Sequence, residues 1–320
     1  MKVCVLSGGT GTPKLIQGLK KVMPEKDITV IVNTAEDTWL GDLYLSPDID
    51  TVLYTFSDLI NEETWYGVKG DTFTTHETLK KFESNDFKEF LRIGDKDRAL
   101  KMHKTHYINK GYPLSKIVDM EREIFNIKAN IFPMTDDNVE TKILIKEDDE
   151  GGHKNKILLK FHDFWINRKG NADVLDVFYE NSNYASAVDG ALDAIENCDF
   201  VIIGPSNPIT SIAPILSIKD IKKAIKDKRV FAVSPIVGNS AVSGPAGVLM
   251  RAKGYSVDAV GVYKFYKDII NTLVIDNADK DKIDGIKCNV VVTNIIMNSL
   301  TDKIKLAKDI IVGYKSLDKK

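Results

Sequence analysis

Cysteine is scarce in this 320-residue sequence, and the three residues present lie far apart: Cys4, Cys198 and Cys288. No CxxC pair occurs, which argues against a zinc site built from cysteine. Cys4 and Cys198 lie in or beside apolar segments predicted as strands, where we expect buried, inert thiols. Scattered thiols of this kind suit a reducing compartment, so we expect a cytoplasmic protein.

Long hydrophobic runs and an excess of one charge are also missing. No run of about 18 apolar residues occurs, so we expect no helix that spans a membrane. The 44 basic and 46 acidic residues leave a formal net charge of −2, which gives no electrostatic reason to bind nucleic acid or an anionic membrane. We therefore expect small-molecule partners, with no nucleic acid and no membrane.

The common motifs of covalent and metal-dependent hydrolysis are absent as well. The sequence contains no GxSxG nucleophile turn, and its five histidines form no HExxH pattern. Without a recognisable nucleophile, the sequence favours catalysis by positioning and by charge neutralisation around phosphates.

Short hydrophobic segments are present throughout, and most are followed by a turn and a helix-like segment. Those predicted as strands are residues 3–6, 28–32, 200–203, 229–233, 257–262 and 288–292. Continuous apolar runs are typical of strands that are buried on both faces of a parallel sheet. Their alternation with helices predicts an α/β fold with a doubly wound, mostly parallel sheet.

The middle of the chain has a different pattern. Residues from about 52 to 128 have a mostly helical period and are rich in charge, with a helix expected at 115–125. From about 130 to 164 the pattern favours strands, and residues 141–145 and 156–161 flank a polar tip at 147–154. We interpret that tip as a solvated hairpin loop.

The first loop, SGGTGTPKL, is the most informative segment. Glycines after a first strand let backbone N–H groups approach an anion, and the helix that follows adds its positive end. The dinucleotide fingerprint GxGxxG fails, because Lys14 holds the third glycine position and Asn33 stands where an acid should bind ribose. The Walker pattern fails as well. The loop is either a phosphate or nucleotide cradle of another kind or a simple tight turn.

An acidic segment follows the second predicted strand. It contains five carboxylates within positions 36–50, namely Glu36, Asp37, Asp42, Asp48 and Asp50. Clustered carboxylates repel one another unless a cation or protons hold them, and Mg²⁺ bridging to phosphate oxygens would account for them. The alternative is that some of these acids cap a turn and the others are solvated.

Two further segments are candidates for the site. Pro205 and Pro208 bracket Ser206 and Asn207 directly after a strand, which suits recognition of a base, ribose or phosphate but also fits an ordinary turn. Arg92 begins a charged run, residues 92–98. This run contains a candidate site residue, but it is also typical of the solvated start of a helix.

Together these motifs resemble the archaeal 2-phospho-L-lactate transferase family. The matching segments are SGGTGTPKL, VNTAED, SPDIDTVLY, IGDKDRA, IFPMTDD, IGPSNPITSI and VSPIVGNSAVSGPAG. The resemblance implies transfer of a 2-phospholactyl group from lactyl-2-diphospho-5′-guanosine to the deazaflavin Fo, with GMP released and coenzyme F-420-0 formed. It also implies a requirement for Mg²⁺ and a homodimer. The identity of the three-carbon acid on the donor stays open.

The residue patterns and the resemblance together predict an architecture and roles. We expect a single catalytic domain, 1–320, with a Rossmann-like core of about 1–51 and 165–320 and a helical and hairpin insertion of about 52–164. Asp48 and Asp50 are expected in catalysis, Asp50 and Arg92 in binding Fo, and Asp37, Asp48 and Asp50 in binding Mg²⁺. Expected to bind the donor are Gly8, Gly9, Thr10, Gly11, Thr12, Lys14, Asn33, Ser206 and Asn207.

Three other classes of protein fit the sequence less well. A non-enzymatic regulator that binds nucleotide sugars shares the GGTG start, but the PDIDT and IGDKDR segments argue against it. An NAD-dependent dehydrogenase conflicts with Lys14 and Asn33. A purely structural α/β protein would leave the acidic segment unexplained.

Overall fold

A computed structural model describes residues 1–84, 86–148 and 154–317. Its strands are β1 Val3–Ser7, β2 Ile28–Val32, β3 Thr38–Leu40, β4 Leu43–Leu45, β5 Asn130–Pro133, β6 Glu140–Asp148, β7 Lys154–Lys160, β8 Asp173–Glu180, β9 Phe200–Ile203, β10 Val230–Val233, β11 Ile236–Val237, β12 Ser240–Ala241, β13 Thr272–Asp276 and β14 Asn289–Thr293. Its helices are α1 Gly11–Val22, α2 Pro47–Phe56, α3 Thr74–Leu79, α4 Asp95–Asn109, α5 Leu114–Ile124, α6 Asp189–Asn197, α7 Ala213–Ser217, α8 Lys219–Ala224, α9 Ala246–Ala252, α10 Ala259–Tyr266 and α11 Leu300–Leu317.

The centre of the fold is a seven-stranded sheet in the order β14-β13-β10-β9-β1-β2-β5, in which the paired strands are parallel. Side chains of β1 alternate between two cores, as strand geometry requires. Val3 and Val5 pack in the core that contains residues of α1 and α11, whereas Cys4 and Leu6 pack in the core that contains residues of α6, α8 and α10. Burial on both faces explains why the strand is continuously apolar, and the predicted doubly wound α/β fold is confirmed.

One predicted strand is wrong. Residues 257–262 include the start of helix α10, because Asp258 caps that helix by accepting a hydrogen bond from the backbone N–H of Gly261 at 2.7 Å. Several valines in this segment suggested a strand, but the cap and the helical period decide its structure. The other five strands predicted for the parallel sheet agree with the structure to within about one residue, whereas the two hairpin strands predicted at 141–145 and 156–161 are up to three residues longer at an end.

The predicted division into core and insertion does not coincide with the sheets. Strand β5 lies within 52–164 but forms the edge of the central sheet, next to β2. The predicted hairpin is β6 and β7, and β8, from beyond residue 164, joins it in an antiparallel three-stranded sheet. Most of the predicted hairpin tip, residues 149–153, lies outside the described residues. A small hairpin, β3–β4, lies within the acidic segment, for which the sequence predicted no strand.

The order of strands determines where a ligand can bind. Strand β1 pairs with β2 on one side and with β9 on the other, so the loops that follow these strands diverge at their carboxyl ends. In open parallel sheets, ligands bind in the crevice formed at such a point.

Within the described part of the chain, no helix is both long and apolar enough to span a membrane.

Candidate functional site

A cleft of about 620 Å³ lies at this edge of the sheet. The residues that line it and that the sequence had indicated are Gly9, Thr10, Gly11, Lys14, Asp48, Asp50, Arg92, Ser206 and Asn207. Gly8, Thr12, Asn33 and Asp37, which were also predicted, are not part of the lining. The cleft therefore brings together the glycine loop, the acidic segment and the loop that follows β9.

The glycine loop leads directly into α1. Gly9 has φ +56°, a left-handed conformation that favours glycine, and its backbone N–H donates to Asp48 Oδ1 at 2.7 Å. A Cβ atom added at Gly11 would lie 2.0 Å from the carbonyl oxygen of Pro205. Gly11 is therefore required for the close approach of two loops, whereas Gly9 is required for the path of the backbone that faces the cleft.

Ser206 joins those two loops. Its hydroxyl hydrogen-bonds with Thr12 Oγ1 at 2.6 Å, accepts from Thr12 N at 3.2 Å and donates to the carbonyl of Gly8. The neighbouring Asn207 accepts from Ile209 N at 3.0 Å through Oδ1. Its Nδ2 is buried and has no partner among the described residues. The Ser206 hydroxyl is thus used to connect the two loops, whereas the Nδ2 donor of Asn207 is not used by any described residue.

Asp48 lies in the first turn of α2 and is deeply buried. Its Oδ1 accepts from the loop, and its Oδ2 accepts from Asn33 Nδ2 at 2.9 Å. Burial raises its pKa to about 6 against these two hydrogen bonds. Glu36 also lines the cleft, and burial, followed by the nearby charge of Asp48, raises its pKa well above the ordinary value. Glu36 Oε1 has no partner among the described residues.

Asp37 is directed toward the β3–β4 hairpin instead. Its Oδ2 accepts from Tyr44 OH at 2.8 Å and from Ser46 Oγ at 2.7 Å, while Oδ1 is buried without a partner in the described structure. Burial raises its pKa to about 8. Asp37 therefore supports the hairpin behind the cleft wall.

Asp50 is held by two buried lysines from α4. Its Oδ2 accepts from Lys101 Nζ at 2.9 Å and its Oδ1 accepts from Lys104 Nζ at 2.6 Å. Burial alone would raise the pKa of Asp50, but the two ammonium groups outweigh it and keep the pKa below its ordinary value. Both carboxylate oxygens are consequently neutralised by the protein itself.

These contacts bear on the predicted metal ligands. Among residues 1–84, 86–148 and 154–317, no group of three or more His, Cys, Asp or Glu side chains is arranged to hold a metal ion. The expected trio of Asp37, Asp48 and Asp50 is thus not gathered around one point. The two acids in the cleft lining whose burial is not offset by a lysine are Asp48 and Glu36.

Two further cations face the cleft. The guanidinium of Arg92 lies 3.5 Å from the ring centroid of Phe73, and the side chain is exposed. Two acids of the same charged run have other partners: Asp95 accepts from Thr72, and Asp97 accepts from Tyr54 OH at 2.7 Å.

The second of these cations is Lys14, in helix α1. Its ammonium is 5.3 Å from the ring centroid of Trp65, and burial followed by the charge of Lys303 lowers its pKa. No carboxylate contributes to that shift, so Lys14 offers a cation for an incoming anion.

The family model for the 2-phospho-L-lactate transferase CofD matches residues 3–301. The chain belongs to this family. A 2-phospho-L-lactate transferase of Methanococcus maripaludis is 65% identical over 316 residues, covering 99% of this chain and 100% of that protein. The corresponding protein of Methanocaldococcus jannaschii is 64% identical over 315 residues, covering 98% and 99%.

A solved structure of a UPF0052 family member from Bacillus halodurans has the same fold as this CofD-family chain. It covers 97% of this chain and 98% of that chain, with a TM-score of 0.65 and 16% identity. At that identity the likeness establishes the fold alone.

The CofD-family cleft also contains residues that the sequence motifs did not indicate. Lys101 lines it, and Lys104 lies behind Lys101. Their spacing from Asp97, at positions 97, 101 and 104, puts all three on one face of α4, which is a signal that the sequence did contain. Trp165, from a helical turn at Asp163–Asn167, also lines the cleft, whereas Trp39 does not.

Proposed function

We propose that this chain transfers a 2-phospholactyl group from lactyl-2-diphospho-5′-guanosine to the hydroxyl of Fo, releasing GMP and forming coenzyme F-420-0. The observation that carries the proposal is the hydrogen bond from Gly9 N–H to Asp48. It joins the glycine loop and the acidic segment in one cleft, so that a diphosphate on the loop would lie beside a carboxylate. Membership of the CofD family supports the same reaction.

The donor would bind across the loops that follow β1 and β9. Backbone N–H groups at the start of α1 and the free ammonium of Lys14 suit the diphosphate. Asn207 Nδ2, which has no hydrogen-bond partner in the described structure, suits an acceptor atom of the guanosine part. Ser206 supports this arrangement indirectly, because it fixes the two loops relative to each other.

Fo would bind toward the α2 and α4 side of the cleft. Arg92 has a guanidinium without a carboxylate partner among the described residues, and its fork of donors suits carbonyl or phosphoryl oxygens. A flat tricycle also needs an aromatic wall. Trp65 and Trp165 both line the cleft and could supply it, whereas Trp39 packs against Tyr44 outside the lining.

We also propose that Mg²⁺ assists the reaction, with Glu36 as its protein ligand, because both oxygens of the neighbouring Asp48 already accept hydrogen bonds from Gly9 and Asn33. Both acids are buried in the cleft lining, and one oxygen of Glu36 has no partner among the described residues, so a cation would offset their burial. When bound, the ion would neutralise charge on the diphosphate oxygens. Asp50 fits this role less well, because both of its oxygens accept from lysines.

The residues of the chain would then act on the acceptor hydroxyl. Its oxygen attacks the phosphorus, the bond to the GMP oxygen breaks, and the electron pair leaves with GMP. Asp48, with a pKa of about 6, is ionised at pH 7 and suits acceptance of the hydroxyl proton. Asp50 is the weaker candidate for that proton, because two lysines stabilise its carboxylate.

The experiment is to incubate the protein with Mg²⁺, Fo and the guanosine donor, and to measure GMP and F-420-0 by chromatography. We expect both products in equal amounts, with EDTA stopping turnover without unfolding the protein. GMP formation that does not depend on Fo would indicate a hydrolase. Nucleotide binding without any product would favour the alternative of a non-enzymatic regulator that binds nucleotide sugars.

We further propose a cytoplasmic homodimer. The family resemblance motivates the dimer, and the free cysteines at positions 4, 198 and 288 suit a reducing compartment. Light scattering on the purified protein tests the dimer, because a molar mass near 35.7 kDa would indicate a monomer instead.

A further inference from the structure

A row of buried charges runs from the interior to the cleft wall. Lys104 is 1% exposed and lies between Asp50 and Glu121, at 2.6 and 3.4 Å. Lys101, with 8% of its side chain exposed, bridges Asp50 and Asp97 and lines the cleft. The two lysines are thus similar in their carboxylate partners but differ in their access to a ligand.

Lys101 retains a hydrogen-bond donor beyond its two carboxylates. An ammonium group has three N–H donors, and the contacts to Asp50 Oδ2 and Asp97 Oδ1 use two of them. Asp97 is itself fixed by the hydroxyl of Tyr54 at 2.7 Å. The ammonium is therefore held in place, and because its third donor has no partner in the described part of the chain, that donor is available to a ligand in the cleft.

The first turn of α2 connects this ammonium to the phosphate loop. Asp48 accepts from Gly9 in that loop, and two residues further along, Asp50 accepts from Lys101. Lys14 on α1 and Lys101 on α4 line the same cleft as this loop, so both ammonium groups are accessible from the space that an anion on the loop would occupy. Fixed charges aimed at a reacting phosphoryl group need no rearrangement when charge develops on it.

We propose that Lys101 is a catalytic residue that donates a hydrogen bond to a non-bridging oxygen of the transferred phosphoryl group. Asp50 and Asp97 are then positioning residues for its ammonium, and Asp50 is not a metal ligand. In the reaction the acceptor oxygen bonds to phosphorus as the bond to the GMP oxygen breaks, and Lys101 offsets charge on the oxygens that are not exchanged. This inference rests on the proposed function, because it takes the donor to be a guanosine diphosphate ester.

The test uses two probes that differ by one phosphate. GDP carries the phosphate that corresponds to the transferred group, and GMP does not. We would measure the affinity of both by calorimetry for the wild type and for Lys101→Met. The affinity for GDP should fall at least tenfold, whereas the affinity for GMP should change less than twofold.

Lys104→Met is the matched control, because it removes the same charge from another lysine that binds Asp50 but does not line the cleft. It should leave the ratio of GDP to GMP affinity unchanged. Lys101→Arg should recover part of the GDP affinity. If Lys101→Met does not fold, the double variant Lys101→Met/Asp97→Asn removes both charges of the pair and is tested in the same way.

The outcomes distinguish a failure of the proposed role of Lys101 from a failure of the proposed function. Equal losses for GDP and GMP, or no loss for either, would overturn the role of Lys101 while leaving the transferase intact. A wild type that binds neither nucleotide and forms no product would reject the proposed function and this inference together. For the metal, the Mg²⁺ concentration giving half-maximal turnover should be unchanged in Asp50→Asn, and an increase of tenfold would make Asp50 a ligand after all.

Discussion

Replacing Asp48 by asparagine should stabilise the protein while it abolishes most of its activity. The carboxylate is buried, and its folded-state pKa of about 6 lies above the ordinary value of 3.8. A carboxyl with a raised folded pKa contributes most stability below its unfolded pKa, and that contribution is lost as the pH rises toward the folded pKa. Above pH 6 the wild type therefore maintains an ionised group that the fold disfavours.

The size of the effect follows from that difference in pKa. At neutral pH the ionised carboxylate therefore lowers the free energy of unfolding by about 3 kcal/mol. Asp48→Asn removes this penalty but places a new NH₂ group against Asn33 or Gly9, with the loss of a hydrogen bond of about 1–2 kcal/mol. We expect a net gain of about 1–2 kcal/mol at pH 7, or about 2–3 °C in Tm for a chain of this length.

Thermal unfolding at pH 4 and pH 7, together with the GMP release assay, tests this prediction. The gain in Tm should be present at pH 7 and should shrink at pH 4, where the wild-type carboxyl is protonated. Turnover should fall at least about 100-fold, as expected for the loss of a proton acceptor. Asp42→Asn, at an exposed position in the same segment, should change neither property. Full activity, or a Tm that falls at pH 7, would refute the reasoning.

Three further variants test the other parts of the cleft. Gly9→Val places a β-branched residue at φ +56°, which costs roughly 1–2 kcal/mol or more of conformational strain. We expect GDP binding to be lost while the circular dichroism spectrum persists. Unchanged GDP affinity would show that the loop does not bind phosphate. Asn207→Ala should weaken GMP binding more than Fo binding, since it removes the unpartnered donor; equal weakening of both would point to a folding defect. Arg92→Ala should lower kcat/KM for Fo about tenfold, or about 1.4 kcal/mol, and parent-like kinetics would exclude Arg92 from the site.

Local sequence patterns were enough to predict the framework of this protein. Strands β1, β2, β9 and β10 are continuous apolar runs because both faces of a parallel sheet are buried, and that property is visible without any partner. The glycine loop was recognisable for a similar reason, since a backbone that turns at Gly9 and packs closely at Gly11 restricts residue type directly. The strand predicted at 257–262 is wrong, because the valines in this segment favour a strand whereas the cap at Asp258 starts helix α10.

The state of each acid in the cleft was decided only by the tertiary structure. Asp48 and Asp50 are two positions apart in one helical turn and have the same ordinary pKa, so the sequence treats them alike. The fold buries both carboxylates. Hydrogen bonds from Gly9 and Asn33 offset the burial of Asp48 only in part, so its pKa rises, whereas two lysines from more than 50 positions away outweigh the burial of Asp50, so its pKa falls. Sequence patterns report burial and local geometry, whereas the charge of a buried group depends on partners that only chain folding brings within a few ångströms.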